Sequence, residues 1–124
     1  MLSPRVPVLL VDDNPQTVLL VREALQTLDE PYGLKVLSSA LDVYHYLFAS
    51  EGLRQSPAAI MLKGSDGIAL SMLAGFGVDR DFPDVPIITL GVSPGLPHFY
   101  RVDAAVERVT SETLTEALRG ILQD

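Results

Sequence analysis

The segment Val6–Val11, VPVLLV, is apolar at every position and stops abruptly at Asp12-Asp13-Asn14-Pro15. A strand covered on one face alternates apolar and polar side chains, whereas one without polar positions must be covered on both. That requirement alone asks for a sheet held between two layers. Asn14 is a good helix cap, and Pro15 fits the first helical position, where its missing N–H costs nothing. Val18, Val21, Leu25 and Leu28 then recur at steps of three and four, which draws one apolar helical face. Asp29–Gly33, DEPYG, ends that helix.

The alternation repeats. Leu34–Leu37 reads as a second strand, and Ser38 or Ser39 can cap a helix over Ala40–Ala49. Pro57 precedes a third strand, Ala58–Leu62, and Asp66 can cap a third helix from Gly67 that uses Ile68, Leu70, Met72 and Leu73 and dissolves at Gly75-Phe76-Gly77. Val85–Leu90 is the fourth strand. Val92–Arg101, VSPGLPHFYR, carries two prolines and a glycine, which predicts a shortened or irregular fourth helix. Ala104–Val109 forms a weak fifth strand. Thr110 or Ser111 caps a last helix with Leu114, Ala117, Leu118, Ile121 and Leu122 on one face. Short apolar runs alternating with helices predict an α/β fold: a doubly wound five-stranded parallel sheet in three layers, α/β/α. The whole chain, 1–124, reads as one domain.

Bulk properties narrow the function. With 48% hydrophobic and 20% charged residues, the chain has the composition of a globular domain. No run approaches the roughly 20 apolar residues that span a membrane, and the first residues lack the pattern of a signal peptide, so a cytoplasmic protein is expected. Cysteine is absent, which removes disulfides and thiolate chemistry together. A net charge of −7, with no Lys/Arg cluster, argues against nucleic acid as a partner.

In a doubly wound sheet, ligands bind outside the carboxyl ends of the strands where strand order reverses. The first strand there ends VLLVDDNP. With Pro57 before the third strand, Asp66-Gly67 opening the third helix and Val85-Pro86 leading into the fourth strand, this resembles the CheY-like receiver domains of response regulators over nearly the whole chain. The resemblance implies a flavodoxin-like fold and a four-part site. An acidic pair holds Mg²⁺, and an Asp ending the third strand accepts a phosphoryl group. A Thr or Ser ends the fourth strand, and a Lys ends the fifth. Asp12 and Asp13 match the pair. The phosphoacceptor position falls on Lys63, which cannot ligate a metal and as an ammonium is no nucleophile. The loop that follows is about four residues shorter than the family pattern. The Thr/Ser position falls on Gly91. The Lys position falls on Arg108, or on Glu107 if the register slips by one, with Val109 where a proline usually follows.

The resemblance therefore implies a degenerate, pseudo-receiver site with no catalytic residue and no resident cofactor. The expected function is that of a signalling module of the two-component, phosphorelay type, not an enzyme, acting through contact with a protein such as a kinase, regulator or effector. The alternative is a phosphorylatable, Mg²⁺-dependent receiver with a displaced acceptor, for which Asp66 is the fallback. Asp12 and Asp13 allow three readings: favourable charges at a helix N-terminus, an acidic pocket neutralised by Lys63, or a retained Mg²⁺ site. Asp66 reads chiefly as a cap. Thr89 and Ser93 could offer a hydroxyl near Gly91, although Thr89 lies inside its strand. His45 and His98 have no partner at metal-binding spacing. Of Tyr44, Tyr46 and Phe48, crowded on one helix, at least one should be exposed. Leu96, Phe99 and Tyr100, with the outer side of the last helix, are the candidate partner surface. A haloacid-dehalogenase-type phosphotransferase would need an acid and a hydroxyl where Asn14 and Gln16 stand. A flavodoxin-like phosphate binder would need a Gly-rich turn in place of DDNP.

Overall fold

Val8, Leu9, Leu10 and Val11 are all buried, as a strand without polar positions requires. They belong to β1 (Pro7–Val11), which lies inside a five-stranded sheet. The structure is a computed structural model that describes residues 7–28, 32–48, 56–91 and 102–122. After β1 come α1 (Pro15–Gln26), β2 (Gly33–Leu37), α2 (Ala40–Leu47), β3 (Ala59–Lys63) and α3 (Gly67–Gly75). The one-turn α4 (Val78–Asp81), β4 (Ile87–Leu90), β5 (Ala104–Val106) and α5 (Ser111–Leu122) complete the series. The strand order is β2-β1-β3-β4-β5 and every pairing is parallel.

Successive side chains of a strand point to opposite faces, and β1 feeds two cores accordingly. Val8 and Leu10 join Val21, Ala24 and Leu25 of α1 with Leu114 and Leu118 of α5. Leu9 and Val11 join Val43 and Leu47 of α2 with Leu70 and Leu73 of α3. The three expected layers follow from this alternation. At the sheet edge, none of the five residues of β2 is fully buried.

Helix starts sit where the sequence put them. The Asn14 side chain accepts from the Gln16 N–H at 2.9 Å, and that of Asp66 accepts from the Ala69 N–H at 3.0 Å. Ser39, rather than Ser38, caps α2. Thr110 caps α5 by a reciprocal pair: its hydroxyl accepts from the Thr113 N–H at 3.1 Å, and the Thr113 hydroxyl accepts from the Thr110 N–H at 2.9 Å.

Several boundaries shift. β3 runs one residue further than expected, through Lys63. β4 begins at Ile87 instead of Val85, because Pro86 has no N–H for the ladder, although its carbonyl still accepts from Ile60. β5 stops at Val106 instead of Val109, since the Thr113 hydroxyl bonds the Arg108 carbonyl and turns the chain into the α5 cap. Helix α4 was not foreseen. It follows Gly77, whose φ of +79° allows the reversal after α3. On α3, Ile68 is 76% exposed, and Ala69, Leu70 and Leu73 form the buried side. Val92–Arg101, where an irregular fourth helix was expected, lies outside the described residues.

Candidate functional site

Parallel pairing brings the carboxyl ends of all five strands to one edge. From β1 the chain moves outward to β2 and then crosses back to β3 on the other side of β1, so the order reverses between β1 and β3. Val11 pairs with Leu62. The next residues, Asp12 and Lys63, therefore emerge side by side at this reversal point.

The Lys63 ammonium lies 3.6 Å from Asp12 Oδ1 and 4.0 Å from Asp13 Oδ1. Both distances exceed hydrogen-bond length, so the attraction is Coulombic. The side chain of Asp12 is only 2% exposed, against 91% for Asp13 and 48% for Lys63. A buried carboxylate is costly unless it is paired and hydrogen-bonded. Asp12 has both supports, because Oδ1 also accepts the Asn14 N–H at 2.9 Å. That bond spans two residues and is the Asx-turn typical of Asp before a helix. The sequence reading missed Asn14 as a partner of Asp12, although D-x-N before proline was its signal.

The β3–α3 connection is a single tight turn, in which the Asp66 N–H donates to the Lys63 carbonyl at 3.1 Å. The Gly64 N–H donates to the Leu90 carbonyl at 2.7 Å, which fixes the turn to β4. Asp66 spends one carboxylate oxygen on capping α3. It is placed as a cap.

Across β4 the edge is bare. Gly91 has a φ of +86°, and a Cβ built on it would meet nothing within 4 Å among the described residues. Two residues earlier, Thr89 is fully buried, and among the described residues its hydroxyl has no hydrogen-bond partner. It shares its face with Ile87, on the α2/α3 side of the sheet. Leu90 pairs with Val106, so the step beyond sets Gly91 beside Glu107, with Arg108 one residue further on. Glu107 and Arg108 are both exposed. His45 is exposed and meets the Tyr44 ring edge-on at 5.7 Å, and Tyr44 is 37% exposed. Ser93, Leu96, His98, Phe99 and Tyr100 lie outside the described residues.

A magnesium ion does not fit these residues. It wants about six oxygen ligands, several of them waters, around a site open to it. Here an ammonium stands against both carboxylates, where a dication would have to approach. Among the described residues no group of three or more His, Cys, Asp or Glu side chains is placed to hold a metal.

No protein-family model matches the sequence, and no curated protein does either. Solved structures do resemble the fold. The phosphorylated cyanobacterial phytochrome response regulator RcpA superposes with a TM-score of 0.74 at 16% identity, covering 95% of this chain and 94% of that one. A two-component response regulator from Legionella pneumophila gives a TM-score of 0.74 at 15% identity, over 96% of this chain and 98% of that one. The pseudo-receiver domain of CikA gives 0.64 at 16% identity, over 94% and 96%. The five-stranded parallel sheet, its order and these superpositions give this chain the fold of the response-regulator receiver domain.

Proposed function

We propose that this chain is a receiver-like signalling module that acts by binding a protein partner and takes up no phosphoryl group. The observation that carries the reading is the Lys63 ammonium, which ends β3 and is held by Asp12 and Asp13. Phosphoryl transfer relies on positioning and on cations that neutralise the transferred group. In this reading the acceptor carboxylate, the metal and the β4 hydroxyl are all lost, at Lys63 and Gly91. The likeness to a protein described as a pseudo-receiver supports it.

The partner surface is assigned to the β5–α5 side. A groove of about 320 Å³ there is lined by Ala105, Val106, Glu107, Arg108, Thr113, Glu116 and Ala117. Leu96, Phe99 and Tyr100 belong to the same proposal. A cytoplasmic location is in keeping with the absence, among the described residues, of any helix long and apolar enough to cross a membrane.

The test is intact-protein mass spectrometry after incubation with acetyl phosphate and Mg²⁺, beside a receiver that labels. An unchanged mass is expected. One labile phosphoryl adduct overturns the reading and makes Asp66, Asp12 or Asp13 the acceptor of a working phosphorelay protein.

A further inference from the structure

Asp12 presents a buried carboxylate whose Oδ1 accepts the Asn14 N–H and lies 3.6 Å from the Lys63 ammonium. Asp13, almost fully exposed, is reached by the same ammonium. Two carboxylates at one strand end repel each other and attract a cation. The cation they have is covalently part of the chain. Its stem runs from the last residue of β3, the strand hydrogen-bonded to β1, so its position is set by the sheet register and not by its concentration in solution.

We propose that Lys63 is the built-in counter-ion of this pocket, closing a latent divalent-cation site. The inference deepens the function proposed above and rests on it. An ammonium supplies charge but no coordination sites, so it balances Asp12 and Asp13 without drawing in the further oxygens that a hard dication demands. It also repels any dication that approaches the same oxygens. The half-exposed side chain explains why the exchange is a competition and not a steric block. Once the ammonium is gone, Asp12 keeps only the Asn14 N–H, and a divalent ion becomes the best remaining partner for its charge. Two variants separate charge from bulk. Lys63→Met keeps the stem and removes the charge, and Lys63→Asp adds a third carboxylate to the two already there.

The experiment is thermal unfolding of the whole chain with and without Mn²⁺ at matched ionic strength, together with direct Mn²⁺ titration. Wild type is expected to show no Mn²⁺-dependent shift in melting temperature. Lys63→Met should melt lower than wild type and recover part of the loss with Mn²⁺. Lys63→Asp should bind Mn²⁺ more tightly than wild type by about tenfold or more, and show the largest shift. Tight Mn²⁺ binding by wild type overturns the proposal, and so does the absence of any Mn²⁺ response in both variants. If Lys63→Met does not fold, the double variant Asp12→Asn/Lys63→Met decides. Recovery of a cooperative melt supports the counter-ion role, and continued unfolding shows that Lys63 is needed for its packing instead. The metal titration needs no phosphoryl donor. Acetyl phosphate labelling of wild type can therefore fail or succeed separately, which keeps the fate of the functional reading distinct from that of this inference.

Discussion

The two halves of the carboxyl edge balance their polar groups in different ways. At the ends of β1 and β3 the charges are balanced: the buried Asp12 has a hydrogen bond and a cation. At the end of β4 stands a glycine. Among the described residues a Cβ on Gly91 would meet nothing within 4 Å, and the Thr89 hydroxyl is buried without a partner. The difference follows from what each group costs when left alone. An unpaired buried charge is expensive enough to demand compensation, whereas an orphaned hydroxyl costs little enough to be carried.

If that contrast is right, the charged half should respond most to substitution. Lys63→Met is expected to destabilise the chain by about 1–3 kcal/mol, less than the 3–5 of a fully buried pair because the ammonium is half in solvent. Urea unfolding at neutral pH measures it. A loss that persists unchanged in the Asp12→Asn background would show that the two groups are not coupled.

On the bare half the sign should reverse. Thr89→Val removes the orphaned hydroxyl at nearly constant volume and should stabilise by about 1 kcal/mol. A destabilised Thr89→Val protein would mean that the hydroxyl is satisfied, and the contrast between the halves would fall. Gly91→Ser adds a hydroxyl to the edge, but at a φ of +86°, and should cost about 1–2 kcal/mol and, on the function proposed above, leave the protein unlabelled by acetyl phosphate. Labelling of this variant by acetyl phosphate, with wild type unlabelled, would show that the lack of a hydroxyl at Gly91, and not Lys63, prevents phosphorylation.

The sequence exposed the charged half better than the bare one. VPVLLV stopping at DDNP placed β1 and its helix, and a parallel sheet whose third strand returns beside the first brings Lys63 to Asp12 and Asp13. Charge and register were enough there. The orphaned state of Thr89 was not legible, because it depends on every polar group around one oxygen and not on local pattern. Ile68 was misplaced for a related reason: α3 is apolar on several sides, so its periodicity does not point to a buried face. The four residues of α4 are too few to carry a periodic signal at all. That Glu107, and not Arg108, lies beside Gly91 follows from the pairing of Leu90 with Val106, which local sequence pattern does not give.

The smallest effect sharpens the contrast from outside the site. Asp42, at the surface in the first turn of α2, accepts the Ser38 hydroxyl at 2.7 Å and the Ser38 N–H at 3.3 Å. The Ser38 hydroxyl is the main cause that holds its carboxyl below the usual carboxylate range, helped by the nearby His45. A carboxyl that titrates lower in the folded than in the unfolded chain adds stability above its unfolded pKa, near 4, and loses it as the pH falls through the folded value. Because Asp42 is solvated, that contribution should be slight, and Ser38→Ala should leave the neutral-pH melting temperature almost unmoved while raising the Asp42 pKa in an NMR titration. Lys63→Met should do the opposite in both respects that matter here, lowering the melting temperature at neutral pH and leaving the Asp42 titration alone. If the two substitutions proved equally costly, the burial of Asp12 would not be what sets the price of its partner, and the account of why this half of the edge is compensated would fail.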